Sequence, residues 1–354
     1  MKILFICPYP PSSAPSQRFR FEQYFTFLCE NNYYFEQHSF IDDFSWKILY
    51  KKGYKFQKIS GVLRGFFRRF LLLFSVSKFD FVFIHREATP IGPPIFEWVV
   101  AKILRKKIIY DFDDAIWIPN TSTNNKIVAS IKFHHKVKYI CSWAYKVSAG
   151  NQFLQTYAQQ FCKNAVFNPT TIDTINVHNL TSNHFTNKVI IGWTGTHSTL
   201  FYLQPLVPVI EKLALKFNFE FRLISNQAPD FEIPNLNFVK WNLDSEIEDL
   251  SQIQIGLMPL EEDAWAKGKC GFKALQYMAL GTPALVSPVG VNSIIVQNDY
   301  NGFVCNTPED WYKHLSDLIQ NAEKRNTLGS NAKLFIENNY SVNANKINFL
   351  SLFS

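Results

Sequence analysis

Residues 256–292 read GLMPLEEDAWAKGKCGFKALQYMALGTPALVSPVGVN. The apolar run at the start of this stretch is typical of a buried strand that ends at Pro259, and a loop that is first acidic and then basic follows it. A helix is predicted to begin at about Gly271, and the Gly-Thr-Pro turn at 281–283 leads the chain into the next buried strand. A strand, a crossover helix and a second strand in this order predict a parallel sheet covered by helices.

The same alternation occurs along the whole chain and restarts after a polar stretch rich in Thr and Asn. With 354 residues, the chain is long enough for two cores. We therefore predict an α/β fold with two Rossmann-like doubly wound domains that face each other across a cleft. The expected parts are a first domain over 1–175, a linker over 176–187, a second domain over 188–338 and a C-terminal helix over 339–354 that packs back on the first domain.

Apolar runs and amphipathic periodicity predict the individual elements. Expected strands are 2–7, 79–85, 107–111, 146–150 and 165–168 in the first half, and 188–194, 220–225, 237–240, 255–259 and 283–287 in the second. Expected helices are 17–31, 94–104, 127–145 and 151–162 in the first half, and 199–216, 246–253, 272–280 and two or three more from 308 onward in the second.

The composition is that of a globular protein, with 47% hydrophobic and 18% charged residues, which excludes a disordered chain. The six cysteines are scattered without metal-ligand or redox spacing, and prolines soon interrupt the amino-terminal apolar run. No apolar stretch approaches the roughly 20 residues that a membrane-spanning helix needs. We expect a cytoplasmic protein with reduced thiols.

Two stretches of the second half have the chemistry of an anion site. Lys267, Lys269 and Lys273 crowd the start of the helix predicted at Gly271, where free amides and the helix dipole attract negative charge. Farther upstream, a strand runs into the turn Gly195-Thr196-His197-Ser198 and a predicted helix, a geometry that cradles phosphate with backbone amides. A pyrophosphate would suit both stretches, whereas a solvated loop and a tight structural turn are the plain alternatives.

The stretch from Gly271 to Pro283 resembles the donor-binding core of the retaining, two-domain (GT-B) glycosyltransferases of family 4, the bacterial glycosyltransferase group 1. In that family, a strand, a loop and a helix of the type Gly-x-x-x-Leu-Glu-Ala-Met-Ala-x-Gly-x-Pro-Val hold the nucleotide-sugar. The resemblance places Trp241 beside the nucleobase. It implies a donor site made of Gly195, Thr196, His197, Trp241, Lys267, Lys269, Cys270, Gly271, Lys273 and Gln276.

This sequence departs from the family pattern at two positions. The two glutamates of the family, eight positions apart, fall on Gly268 and Gln276. Gln276 can still hydrogen-bond a ribose hydroxyl, whereas Gly268 removes the usual carboxylate contact to the donor sugar. The Arg and Lys pair of the family is also missing, so that Lys267 and Lys269 are expected to neutralise the phosphates. Carboxylates that can take the place of the missing one are Glu261, Glu262 and Asp263.

In the first half, polar residues stand where the predicted strands end. His85 ends one strand, Asp113 and Asp114 follow the next, and we expect them to share a rim because parallel strands bring their carboxyl ends to one edge. The resemblance implies that this half binds the acceptor. Expected catalytic residues are His85, Asp113, Asp114 and Lys267, and expected acceptor contacts are Arg18, Arg20, Arg86, Glu87 and Asn151.

The aspartates have two other interpretations. Asp-x-Asp is the metal signature of the other glycosyltransferase fold, but that fold lacks a second nucleotide-binding half, and no metal site is predicted here. The aspartates can also cap the helix that follows them.

Residues 41–78 are strongly basic, with nine Lys or Arg against Asp42 and Asp43, and aromatic residues are interleaved with the charges from 46 to 78. This pattern is typical of a segment that lies on an anionic membrane surface. No nucleic-acid motif accompanies it, so nucleic acid is not an expected partner. A solvated helix face over core aromatics is the alternative.

The resemblance implies a glycosyltransferase that moves a sugar from a nucleoside-diphosphate sugar to a glycan, lipid-linked or other acceptor, with retention of anomeric configuration. No cofactor is required and a divalent metal is not expected to be essential. A role in cell-envelope polysaccharide synthesis, on the inner face of the membrane, would fit these features. The alternatives are a nucleotide-sugar epimerase of the same fold and a non-catalytic carbohydrate-binding protein. A dinucleotide-dependent oxidoreductase is disfavoured because the turn after the first strand, residues 8–16, contains no glycine.

Overall fold

The computed structural model describes residues 1–49, 51, 53–119 and 132–354. They form two compact units, Met1–Thr170 with Lys346–Ser354, and Thr171–Asn345. Each unit contains one six-stranded sheet whose neighbouring strands run parallel. The prediction of an α/β chain with two Rossmann-like, doubly wound halves is confirmed.

The sheet of the first unit has the strand order β2-β1-β3-β4-β5-β6. Its central strands are buried apolar runs, as predicted. Strand β2 escaped prediction because it is a polar, half-exposed edge strand without a continuous apolar run. The strands are β1 Lys2–Cys7, β2 Tyr34–Ser39, β3 Phe81–His85, β4 Lys107–Phe112, β5 Lys146–Ala149 and β6 Ala165–Phe167.

The helices of the first unit are shorter than predicted where the helical backbone is interrupted. The expected helix 17–31 breaks at Phe21, whose φ of −143° is not helical, and the expected helix 94–104 continues as a π-helix over Val99–Ile103. Residues 127–131 of the expected helix 127–145 lie outside the described residues. The helices are α1 Pro15–Arg20, α2 Phe25–Glu30, α3 Asp43–Ile48, α4 Lys55–Leu72, α5 Ile95–Trp98, α6 Lys136–Trp143 and α7 Gln152–Gln159.

The sheet of the second unit has the order β12-β11-β10-β7-β8-β9. Its strands are β7 Val189–Gly195, β8 Phe219–Ser225, β9 Leu236–Lys240, β10 Ile255–Met258, β11 Ala284–Val286 and β12 Gly302–Val304. The helices are α8 Val207–Ala214, α9 Glu246–Ser251, α10 Ala264–Lys267, α11 Phe272–Ala279, α12 Asn292–Ile295, α13 Pro308–Gln320 and α14 Ala322–Asn339. A last helix, α15 Val342–Leu350, begins in the second unit and belongs to the first from Lys346 onward. The expected helix 199–216 is a 3-10 helix as far as Leu206, with Pro205 inside it, and proline has no N–H to continue an α-helical ladder.

The stretch expected as a linker over 176–187 packs on the second unit instead. The amide of Ser182 donates to the carbonyl of Leu280 at 2.8 Å, and Nε2 of His184 donates to the carbonyl of Gly281 at 2.8 Å. The second unit therefore begins at Thr171, and the last residues, Lys346–Ser354, belong to the first unit.

Candidate functional site

The strand order of the second unit reverses between β7 and β10. Strand β7 pairs with β10 on one side and with β8 on the other. In open parallel sheets, the crevice outside the carboxyl ends of the strands at such a switch point is where ligands bind. Gly195 ends β7, and the loop after β10 leads to the amino end of α11, so both stretches that we expected to bind an anion lie at this point.

The turn at Gly195 lies directly against Lys273 on α11. A Cβ atom placed on Gly195 would lie 2.9 Å from Cε of Lys273 and 2.5 Å from Cη2 of Trp193. The ammonium of Lys273 lies 5.4 Å from the centre of the Trp193 ring, which is buried. This glycine thus leaves space for a lysine that an aromatic face positions, and the predicted proximity of the two stretches is seen in the structure.

The position before helix α11 has a backbone conformation that favours glycine. Gly271 is its N-cap residue with a φ of +70°, a left-handed conformation that costs other residues roughly 1–2 kcal/mol. A Cβ atom on Gly271 would also lie 2.3 Å from Cδ1 of Ile295. The eight-residue helix therefore starts without a capping side chain over its first amides, and such amides attract an anion.

The three lysines of the predicted site have different surroundings. Lys267 ends α10 and forms an exposed ion pair with Glu262 at 3.1 Å. Lys269 lies 5.9 Å from the ring centres of Tyr202 and Trp265. Of the three lysines, Lys273 is the one that lies against the Gly195 turn. Its ammonium group is therefore placed to contact a phosphate bound at that turn.

Two of the carboxylates that could replace the family glutamate already have partners. Asp263 caps α10, since its Oδ1 accepts from the amide of Ala266 at 2.6 Å, and Glu262 pairs with Lys267. Gly268, where the family has its first glutamate, is buried. Glu261 is exposed and is the carboxylate of the three for which no such partner is seen among the described residues.

Gln276 is buried, with 2% of its surface exposed, although we expected it to meet a ribose. Its side-chain nitrogen has no hydrogen-bond partner among the described residues. A buried amide without a hydrogen bond is costly. The side-chain nitrogen of Gln276 can therefore donate to a ligand oxygen that reaches the interior of the site. Cys270, also expected at the donor, is 8% exposed.

Tyr277, which sequence reasoning missed, connects α11 to the end of β7. Its hydroxyl accepts from the amide of Thr194 at 2.8 Å, and burial raises its pKa well above the ordinary value. A Cβ atom on Gly256 would lie 2.3 Å from the Tyr277 ring. A glycine inside an otherwise apolar strand is the sequence signal for this close approach.

Two other expected donor residues, His197 after β7 and Trp241 after β9, have defined partners. Asn226 accepts from the amide of His197 at 2.8 Å and contacts the His197 ring at 2.9 Å, which fixes the turn after Gly195. Trp241 is half-buried, packs on the apolar cluster that includes Tyr277 and Ile253, and donates its indole N–H to Glu246 at 3.2 Å. Trp241 thus packs as a core residue whose N–H has a partner, and the structure does not present its ring as an open surface for stacking a nucleobase.

In the first unit, a buried ionic network stands at the carboxyl ends of β3, β4 and β5. Asp111 accepts from Arg20, from Nδ1 of His85 at 2.7 Å and from Ser148 at 2.6 Å. The side chains of Arg20, His85 and Asp111 are all fully buried. Burial raises the pKa of Asp111, but the charge of Arg20 and the His85 hydrogen bond outweigh it and hold this pKa well below its usual range.

The burial of this network changes the interpretation of two predicted residues. Arg20, expected to bind the acceptor, is used inside the unit as the counter-ion of Asp111. His85, expected to be catalytic, is wholly buried, and its Nε2 has no hydrogen-bond partner among the described residues. Their positions support roles in arranging the sheet edge rather than direct contact with a substrate.

Around this network, Asp113 and Asp114 are held by Arg86. The guanidinium of Arg86 lies 2.9 Å from Oδ1 of Asp113 and contacts Asp114. Arg86 has a φ of +60°, an uncommon backbone conformation for a side-chain-bearing residue. Burial opposes the ionisation of Asp113, but Arg86 and then His85 lower its pKa below the usual value. Arg86 therefore fixes the orientation of both partly exposed aspartates.

Three further expected acceptor contacts have defined surroundings. Glu87 pairs with Lys136 at 2.7 Å. Asn151 is fully buried and caps α7 by accepting from the amide of Leu154 at 2.8 Å, which accounts for an Asn at this strand end without a ligand. The guanidinium of Arg18 lies 4.9 Å from the Phe19 ring centre.

The two parallel six-stranded sheets have the GT-B fold, the two-domain architecture of nucleotide-sugar glycosyltransferases. Residues 224–335, which lie within the second unit, match the family model described as glycosyl transferases group 1. The predicted resemblance is confirmed. The region of the match contains the quoted stretch 256–292.

Individual relatives agree with this class. The uncharacterized glycosyltransferase MJ1178 of Methanocaldococcus jannaschii is 30% identical over 168 residues, which are 42% of this chain and 46% of that protein. The matched part is thus less than half of that relative's length.

Solved structures share the fold over almost the whole chain. Sucrose-phosphate synthase of Thermosynechococcus elongatus has a TM-score of 0.72 at 12% identity and covers 99% of this chain and 98% of its own. HepE of Anabaena, in complex with UDP and glucose, has a TM-score of 0.66 at 17% identity and covers all of both chains. The catalytic domain of starch synthase IV of Arabidopsis thaliana, bound to ADP and acarbose, has a TM-score of 0.68 at 11% identity over 99% and 98%.

Proposed function

We propose that this protein is a glycosyltransferase that moves a sugar from a nucleoside-diphosphate sugar to a hydroxyl of a glycan or lipid-linked acceptor, with retention of configuration. The observation that carries the proposal is the convergence of the Gly195 turn, the ammonium of Lys273 and the uncapped start of α11 at the switch point of the second sheet. The names of the matched family and relative support the activity.

In this proposal the second unit binds the donor diphosphate. The first amides of α11 and the ammonium of Lys273 meet the phosphate oxygens, where negative charge grows as the bond between the anomeric carbon and the diphosphate breaks. Fixed donors aimed at developing charge are among the largest contributions to catalysis. The acceptor oxygen forms the new bond to the anomeric carbon as the bond to the diphosphate breaks, and the hydroxyl proton passes to the departing nucleoside diphosphate. Retention rests on the resemblance to family 4.

Acceptor recognition is proposed for the first unit. Asp113 and Asp114 are partly exposed carboxylates that Arg86 orients, and carboxylates of this kind accept hydrogen bonds from sugar hydroxyls. Arg86 in turn favours the ionised form of Asp113. Arg20 and His85 would act through Asp111, as positioning residues beneath this surface.

Isothermal titration calorimetry of the full chain with UDP, ADP and GDP, and with their glucose conjugates, tests the donor site. UDP is a natural first probe because HepE was solved with UDP and with UDP-glucose. We expect one nucleoside diphosphate to bind. The Lys273→Ala variant should bind it about tenfold to a hundredfold more weakly, the loss expected for one hydrogen bond to a charged group.

Lys188→Ala is the matched control. Lys188 is exposed and directly precedes β7, at the amino end of the same sheet, so its loss should leave the affinity unchanged. Binding of none of the nucleotides, or equal affinity in Lys273→Ala, would contradict the donor site.

Product analysis separates the alternatives. Release of the nucleoside diphosphate that depends on an added glycan acceptor supports the transferase, and the anomeric coupling constant of the product tests retention. An epimerised or hydrolysed sugar formed without acceptor would identify the epimerase. Sugar binding without nucleotide affinity would identify the carbohydrate-binding protein.

A further inference from the structure

Helix α4, Lys55–Leu72, is packed on its own unit through its small residues. A Cβ atom on Gly61 would lie 2.3 Å from Oγ of Ser45, and one on Gly65 would lie 2.7 Å from the Phe40 ring. Both glycines are buried, together with Arg69 and Leu72. The side of α4 that packs on its own unit therefore carries few of the large apolar side chains of the helix.

The large apolar side chains of α4 point to solvent. They recur at spacings of three and four residues, which places them on one side of a helix, and the row continues to Phe74 just beyond the helix end. Phe56 is 86% exposed and Phe74 is 73% exposed. We call this row the outer face; it consists of Phe56, Ile59, Leu63, Phe66, Phe67, Phe70 and Phe74, all of which are exposed.

Basic residues border the outer face on both sides. By helical spacing, Lys55 lies along one border and Arg64 lies along the other. Lys58 and Arg68 lie toward the inner side, with the two buried glycines. Arg64 pairs with Asp42 at 3.2 Å, and its side chain is 50% exposed beside the face. Arg68 turns toward its own unit and donates to the carbonyl of Phe40 at 2.6 Å. No Asp or Glu occurs between Lys55 and Leu72, so α4 itself presents only positive charge.

We propose that the outer face of α4 docks this protein on an anionic lipid bilayer, with the helix lying in the plane of the interface. A contiguous apolar row of this size on a water-soluble surface marks an interaction site. An apolar face bordered by Lys and Arg is what a helix needs in order to lie at the boundary between headgroups and acyl chains. No helix among the described residues is long and apolar enough to cross a membrane, so α4 lies on the bilayer.

The charge distinguishes a bilayer from a second copy of the chain as the occupant. Two outer faces packed together would bring four basic borders, all of one sign, close to each other, and like charges oppose such an interface. An anionic lipid surface attracts each of these charges instead, by on the order of a fivefold gain in partitioning per residue. The proposal does not depend on the proposed sugar transfer.

Flotation of the full chain with vesicles tests the proposal. We expect it to float with vesicles of phosphatidylcholine and phosphatidylglycerol, and much less with phosphatidylcholine alone. Replacing two exposed side chains, in Phe67→Gln/Phe70→Gln, should reduce partitioning by at least about tenfold, because two phenylalanine rings no longer transfer from water to the acyl chains. Lys55→Gln should reduce it about fivefold, and only for the anionic vesicles.

Leu215→Gln is the matched control, because Leu215 is 87% exposed but lies in the second unit. It should float like the unchanged chain. A folded chain that floats with neither vesicle type, or variants of the outer face that float as well as the control, would overturn the proposal. Dimers in sedimentation velocity that dissociate in Phe67→Gln/Phe70→Gln, without flotation, would assign the face to a second copy. Nucleotide titration in solution is unaffected by any of these outcomes, so failure here is distinguishable from failure of the donor site.

Discussion

The buried pair of Arg20 and Asp111 provides the sharpest test of how the first unit is held together. Both side chains are fully buried. Of the groups that lower the pKa of Asp111, the positive charge of Arg20 has the largest effect. Replacing Arg20 by Met keeps the apolar length of the side chain but removes the charge. Asp111 would then remain buried with His85 and Ser148 as its hydrogen-bond donors.

The expected cost follows from leaving one charge in the interior. Removing one partner of a buried ion pair costs about 3–5 kcal/mol. The first unit has roughly 180 residues, for which each kcal/mol lowers Tm by about 2–4 °C. Arg20→Met should therefore lower the Tm of the first unit by about 6–20 °C.

Differential scanning calorimetry of the full chain measures this shift. On the proposed donor site, a nucleoside diphosphate should raise the transition of the second unit, which tells the two transitions apart. Arg64→Met is the matched control: Arg64 pairs with Asp42, but its side chain is 50% exposed. An exposed pair is worth no more than about 1 kcal/mol, so the Tm should fall by no more than about 4 °C.

The double variant Arg20→Met/Asp111→Asn separates charge from packing. It removes both charges, so its cost should be smaller than the sum of the two single costs by at least about 2 kcal/mol. A fall in Tm below about 3 °C for Arg20→Met, or additive costs in the double variant, would refute the reasoning.

Two further predictions concern pH and the start of α11. The pKa of Asp111 is lower in the folded chain, so the unfolded chain binds this proton first as the pH falls. The stabilisation is complete above the ordinary Asp pKa of about 4 and is lost progressively as the pH falls from there toward the lower pKa of the folded chain. Asp111→Asn should lack this part of the acid-induced fall in Tm. Gly271→Ala should lower the free energy of unfolding by about 2–4 kcal/mol, because it combines a positive φ with the contact to Ile295. Gly92→Ala is the control: Gly92 has a φ of +80° and nothing within 4 Å, so the loss should be only about 1 kcal/mol. Equal losses in thermal unfolding would contradict the steric argument.

The central strands could be predicted from the sequence because their signal is local. Strands β1, β3 and β4 are runs of buried apolar residues, and parallel strands covered on both faces require such runs. Edge strands β2 and β12 could not be predicted, since each is short or polar and is defined by its neighbour in the sheet. Helix α11 was predicted within a residue of its bounds because a glycine precedes it and a Gly-Thr-Pro turn follows it.

The candidate site was predictable in part. The turn at Gly195 and the lysine cluster were found because glycines and like charges stand out in a sequence, and the fold brings Gly195 to Lys273. Which lysine faces the turn was not readable, because the direction of a side chain depends on the loop that carries it. Lys267 and Lys273 have the same charge but different neighbours.

By itself, then, the sequence determined the two parallel α/β halves, the glycine turns and the resemblance to glycosyl transferases group 1, since periodicity and turn chemistry act between near neighbours. Only the tertiary structure decided that Arg20 is the counter-ion of Asp111, 91 positions away, that Gln276 is buried, and that α4 turns its phenylalanines outward. The physical reason is the same in each case. Whether a charge or an apolar group is buried depends on which distant segments pack over it, and no local pattern encodes that.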